Sequence, residues 1–200
     1  MNDFFLANSR SITIKVLGND VVVKQLQMFN FDTWSPIASG IRDSLQQSDY
    51  SDSIGAGLVK EHSLNVFQLC SLCTDINMDT LLDLAKSDAL EFSHLLKNVI
   101  DANGAYFKEE VKPESKTRKK KGGKKGGVEH TWFDSFQYLV FMGHRPDDIL
   151  QMTYGAFINY LKSAQKQQKD FAKFESNVIR AAYHADKKGF TTFQDELSKH

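Results

Sequence analysis

No apolar run in this chain approaches the roughly twenty residues that a membrane-spanning helix needs. The N-terminus, Met1-Asn-Asp-Phe-Phe-Leu6, has no basic segment ahead of its short apolar patch, so it does not read as a secretory leader. These two absences lead us to expect a soluble, intracellular protein with no membrane partner. Cysteine is scarce too. Cys70 and Cys73 stand in a CxxC spacing, but no second ligand pair follows at zinc spacing, and NVFQLCSLC reads as one helix with both thiols near its apolar face. Packing as small hydrophobes is the expectation for both.

Catalytic signatures are missing as well. There is no GxSxG elbow and no HExxH helix. Gly122 and Gly127 have the separation of a phosphate loop, but Val128 stands where the loop needs Lys, and Glu129 where it needs Ser or Thr. Asp147 and Asp148 are adjacent, which on a helix points them in different directions, and they are read as first-turn carboxylates facing the positive helix end. His144 follows a helix-ending glycine in a turn and is read as structural. The expectation is a non-enzymatic chain with no catalytic residue, metal or cofactor.

What the chain does have is a bridge. Lys112 to Gly127, KPESKTRKKKGGKKGG, contains no apolar side chain and sets eight cations against Glu114 alone, a net charge of about +7. The whole chain is formally neutral, so the remainder carries about −7. Like charges repel and glycines free the backbone, so the bridge reads as a solvated, flexible linker. It could also release counterions from a nucleic acid, but it lacks interleaved aromatics and any Arg-rich reading face. Nucleic-acid binding is therefore the secondary reading.

On either side the periodicity is mainly helical. Ser11 to Leu17 alternates, Gly18-Asn19-Asp20 offers turn chemistry, and Val21 to Met28 resumes, which predicts a β-hairpin with Ile12, Ile14, Val16, Val22, Leu26 and Met28 on one face. Asp32 or Thr33 is positioned to cap a helix through Ile37, Ile41 and Leu45, with Pro36 near its first turn. Residues 48–57 read as a loop. Further helices are predicted around Leu64, Phe67, Leu69, Leu72 and Cys73, after a cap at Asp79, and after a cap at Ser87 through Leu90, Phe92, Leu95, Leu96, Val99 and Ile100. Beyond the bridge, Trp132 to Phe141 forms an aromatic helix that Gly143 ends, Pro146 opens a short helix, and Thr153 caps a long one. That long helix carries Phe157, Leu161, Ala164, Phe171, Val178 and Ala182, interrupted by Gln168 and Glu175. Running to Tyr183 it would be about 45 Å long, more than a small helical unit can cover. Phe157, Leu161, Ala164, Phe171 and Val178 are the candidate partner-binding residues, and self-association is one way to cover them.

The fold class is thus mainly α with a small N-terminal β-hairpin, arranged as two helical modules joined by a flexible basic linker. The expected division is hairpin plus helix over 1–47, loop over 48–57, helices over 58–111, linker over 112–129, and a C-terminal helical module over 130–200.

Two stretches, VVVKQLQMFNFDTWSPIASGI and LLDLAKSDALEFSHLLKNVIDANGAYF with its Asn103, Tyr106 and Phe107, resemble the N-terminal half of the tail assembly chaperones of tailed bacteriophages. WFDSFQYLVFMGHRPDDILQMTYGAFINYL resembles the C-terminal half, with Gly143, Pro146, Asp148, Ile149 and Thr153 matching a Gly-x-x-Pro-x-Asp-Ile turn and a Thr-initiated helix. NVIRAAYHADKKGF is similar to that group's last helix. The resemblance implies a protein that coats the aggregation-prone tape measure protein in the host cytoplasm, helps recruit tail tube subunits, and is absent from the mature virion. It also implies a short and a long form produced by frameshifting near the junction, where Lys-Lys-Lys-Gly-Gly is a peptide that a slippery A-rich sequence encodes. A nucleic-acid-associated adaptor using the bridge is the alternative.

Overall fold

A computed structural model describes residues 11–47, 54–108, 131–184 and 186–197. It is mainly α, with one two-stranded antiparallel hairpin near the N-terminus. The bridge lies outside the described residues, as do positions 48–53 of the expected loop.

Strands β1 (Ile12–Val16) and β2 (Asn19–Val23) pair with Ile14 opposite Val21 and Val16 opposite Asn19. Only Leu17 and Gly18 remain for the turn, with φ of 48° and 79°. Both values are positive, as the tightest hairpin turn requires. The turn is one residue shorter than the Gly18-Asn19-Asp20 reading, and the register moves with it. Val21 and Val23 therefore share the inward face with Ile12, Ile14 and Val16, while Val22 falls opposite Thr13 on the other face. A change in register parity exchanges the two faces of a strand, which is why Val22 lies on the face opposite to the expected one.

A 3-10 turn at Met28–Asn30 runs straight into helix α1 (Phe31–Gln47). Asp32 and Thr33 consequently lie inside the first turn instead of ahead of it, and Pro36 falls in the second turn, two or three residues deeper than expected, costing the bond that the Asp32 carbonyl would otherwise accept. Helix α2 (Ile54–Cys73) begins within the stretch read as loop. Gly55, whose composition suggests a loop, is a packing residue: a Cβ there would lie 3.1 Å from Ser93 Oγ. Non-helical backbone at His62, with φ −131° and ψ 38°, kinks α2, and the helix buries Leu58, Val66, Leu69, Cys70 and Cys73 while Leu64 and Leu72 face outward.

Helix α3 (Met78–Ser87) is capped by Asn77, whose side chain accepts from the Thr80 N–H, and α4 (Ala89–Ala102) by Asp88, which accepts from Glu91. Each cap lies within two residues of the expected one, Asp79 or Ser87. Any of these short polar side chains suits the position, and chain entry decides between them. Leu90, expected in the core, is exposed, whereas Phe92, Leu95, Leu96, Val99 and Ile100 are buried as their spacing implies. A single turn, α5 (Gly104–Phe107), follows.

Helix α6 (Trp132–Phe141) starts in a reciprocal capping box between Thr131 and Asp134. Gly143 ends it with φ 98°, its N–H on Val140 O, while the His144 N–H reaches Leu139 O. Pro146 opens α7 (Pro146–Gln151), with Asp147 and Asp148 in the first turn, and the Thr153 hydroxyl accepts from Ala156 at the start of α8 (Tyr154–His184). Helix α9 (Lys187–Leu197) closes the described chain.

The chain divides into two compact units, the first ending at Asn159 and the second beginning at Tyr160. The division falls within α8 and not at the bridge. Helices α6 and α7 belong to the first unit because the segment after β2 pairs with the start of α8. Met28 N–H donates to Met152 O at 2.9 Å and Tyr154 N–H to Leu26 O at 2.9 Å. Around this join lies an aromatic cluster in which Trp34, fully buried, meets Tyr106 edge-on at 5.0 Å and Tyr154 at 5.8 Å, and Phe31 meets Trp132 at 5.5 Å.

Candidate partner-binding surface

Within the first unit several buried polar groups are tied into the packing. Asn103 is buried and holds four neighbours: its Oδ1 accepts the Leu26 N–H at 2.7 Å, and its Nδ2 donates to Val99 O at 2.9 Å, to Lys24 O at 3.4 Å and toward Cys73 Sγ at 3.6 Å. Tyr106 meets both the Trp34 and Tyr154 rings in perpendicular, edge-type contacts, with the Arg42 guanidinium 4.8 Å from its ring centroid. The void beside this group is about 10 Å³, room for no more than one water.

Both cysteines are free and buried. Burial, with a smaller contribution from Cys73 beside it, pushes the Cys70 thiol far above its ordinary range. Burial likewise raises Cys73 to about 12, opposed in part by the Asn103 hydrogen bond. Neither supplies a thiolate near neutral pH, the form that redox chemistry and metal binding require. Among the described residues no group of three His, Cys, Asp or Glu could hold a metal ion.

One Ser–His contact invites comparison with a nucleophile's geometry. Ser44 Oγ lies 2.8 Å from His62 Nε2, at the α2 kink, and 3.4 Å from Glu61 Oε2. In a working triad the acid orients the imidazole from its far nitrogen. Here both partners converge on the serine, so the contact is one that braces the kink against α1.

The surface is different in character. From Tyr160 onward α8 turns large apolar groups outward: Phe171 is 61% exposed, Phe174 43%, Ile179 58% and Tyr183 81%. Of the five residues expected to bind a partner, Phe171 is exposed, Leu161 and Val178 are half-buried, and Phe157 and Ala164 are buried at 3% and 5%. Burial removes Phe157 and Ala164 from any open face. Phe174, Ile179 and Tyr183 lie outside the expected set, although Phe174 follows Phe171 by three residues, the spacing of neighbours on one helix face. Ser176, Ile179, Arg180, Tyr183 and His184 line one side of an open surface concavity.

Among the described residues no helix is long and apolar enough to cross a membrane. Comparison with protein-family models, curated proteins and solved structures finds no match to this chain.

Proposed function

We propose that this chain is a non-enzymatic binding protein that acts as a tail assembly chaperone, shielding the tape measure protein and helping to bring tail tube subunits to it. The observation that carries the reading is the large apolar side chains that α8 exposes beyond Tyr160, Phe171 and Phe174 a turn apart on one face and Ile179 and Tyr183 a turn apart on another. Scattered single hydrophobes need no explanation, but pairs of large ones a turn apart on an exposed helix are what a partner-binding surface offers.

Two further features support the role. The positions on which the resemblance rests do structural work here, Asn103 joining α4 to the segment after β2 and Gly143, Pro146 and Thr153 shaping the turns that lead into α8. Burial keeps both cysteine thiols protonated, so neither is poised as a nucleophile.

Co-expression with the tape measure protein tests this. The chaperone reading requires that the tape measure protein become soluble and co-purify with this chain. Equal solubility without the chain, and no recoverable complex, would reject it. The nucleic-acid reading makes a separate demand: replacing the bridge lysines with serine should abolish polyanion binding and its salt dependence.

A further inference from the structure

We infer that the exposed face of α8 is one seam of a heterotypic coiled coil, and that its occupant is an amphipathic helix with apolar core positions flanked by Lys or Arg. This deepens the binding-protein reading and rests on it. The seam is Gln167, Phe171, Phe174, Val178 and Ala181, at alternating spacings of four and three; Phe171 and Phe174 are its open large side chains, Val178 and Ala181 are half-buried, and the earlier positions of the same register, Phe157 and Ala164, are buried, so the open seam begins at Gln167. Such spacing is that of core positions in a two-stranded coil. In this register a single polar residue, Gln167, interrupts the row, whereas a seam through Leu161, Gln168 and Glu175 would bury a charge.

The register also fixes what lies beside the seam. Asp170, just before Phe171, and Glu175, just after Phe174, occupy the flanking positions that face a partner helix. The other flanks, Leu161, Ser163, Gln168, Asn177, Ala182 and His184, include no Lys, Arg, Asp or Glu, and the cations Lys162, Lys166, Lys169, Lys173 and Arg180 all fall on outer positions. Lys173 reaches Asp170 at 3.4 Å, but this pair is exposed and leaves the carboxylate available to water and to a partner.

Flank charge selects the occupant. In a parallel pair of identical helices a flank faces the flank five residues along in the partner, which sets Asp170 against the other copy's Glu175. An antiparallel pair of copies offers these acids only neutral residues, His184 or another acid, because no Lys or Arg stands on a flank. A second copy is therefore the wrong occupant by charge. The bridge of this chain has cations but no apolar side chain, so it cannot fill the seam either. A separate helix with basic flanks satisfies both requirements.

The test is a binding titration of the full chain with two labelled helical peptides of about four heptads, both with Leu at the core positions, one with Lys and one with Glu on the flanks. The Lys-flanked peptide should bind about tenfold more tightly at low salt, with the preference shrinking as salt rises. Replacing Phe171 and Phe174 by Ser should abolish binding while circular dichroism shows the fold intact, and Asp170→Lys with Glu175→Lys should reverse the peptide preference. Equal affinity, preference for the Glu peptide, or no binding of either would overturn the proposal. So would sedimentation showing a dimer of the chain that the Phe171→Ser, Phe174→Ser variant dissolves. If the peptides fail while co-expression still solubilises the tape measure protein, the seam is wrong and the chaperone reading stands. Peptide selectivity without solubilisation upholds the seam and rejects the chaperone reading.

Discussion

The carboxamide oxygen of Asn103 accepts the backbone N–H of Leu26 at 2.7 Å, fastening the end of α4 to the segment that leaves the hairpin. The same segment then pairs through Leu26 and Met28 with Tyr154 and Met152, so the fastening lies where chain from both sides of the bridge comes together.

Asn103→Leu should therefore be severely destabilising. It removes the acceptor for a buried N–H, which costs about 1–3 kcal/mol, and a larger apolar group cannot repair that loss. Urea denaturation should show a lower midpoint with unchanged slope, and the Asn103→Ala variant should fall on the same side. A variant as stable as the parent would show that the bond is dispensable.

Leu17 predicts a gain. Its φ of 48° is a conformation that costs a non-glycine residue roughly 1–2 kcal/mol, and its side chain is 61% exposed, so little burial is at stake. Leu17→Asn creates the Asn-Gly pair that this turn favours and should raise thermal stability by about 1 kcal/mol. Unchanged or lower stability in a thermal melt would mean that the exposed leucine contributes something the backbone argument omits.

The two thiols predict an alkaline limit. Their folded-state pKa values are raised, Cys73 to about 12 from 9.0, so the native state holds protons that the unfolded chain gives up first. The stability this confers is complete below pH 9.0 and is lost progressively as pH rises toward 12. Urea midpoints should fall across that window, and less so in a Cys70→Ala, Cys73→Ala variant compared with its own neutral-pH value. In the native state at neutral pH, a thiol reagent should react slowly with both cysteines and rapidly once urea is added. Rapid native-state labelling would contradict the buried placement.

Much of the local structure is legible in the sequence because it depends on neighbours along the chain. Gly143, Pro146 and Thr153 each signal a helix boundary through their own backbone or side-chain chemistry, and each stands at that boundary. The hairpin is legible, but its inward face is not, since one residue of turn length decides whether Val21 or Val22 points in. The caps of α3 and α4 stand a residue or two from their expected places because Asn77 and Asp79, or Ser87 and Asp88, are equally able caps. The join between Leu26 and Tyr154 leaves no periodic trace, being a backbone pairing across more than a hundred residues, so from sequence the two blocks look separable at the bridge. The expected stripe is only partly open: periodicity places it from Phe157 through Val178, and spacing alone does not tell that Phe157 is buried while Phe174 is exposed.

Hydrogen–deuterium exchange of the free chain and of the chain with the tape measure protein tests the account most directly. The exposed backbone of α8 from Tyr160 to His184 should exchange readily in the free protein and become strongly protected in the complex, while α4 changes little. Protection that appears elsewhere and leaves Tyr160 to His184 unchanged would contradict the assignment of α8 as the binding surface.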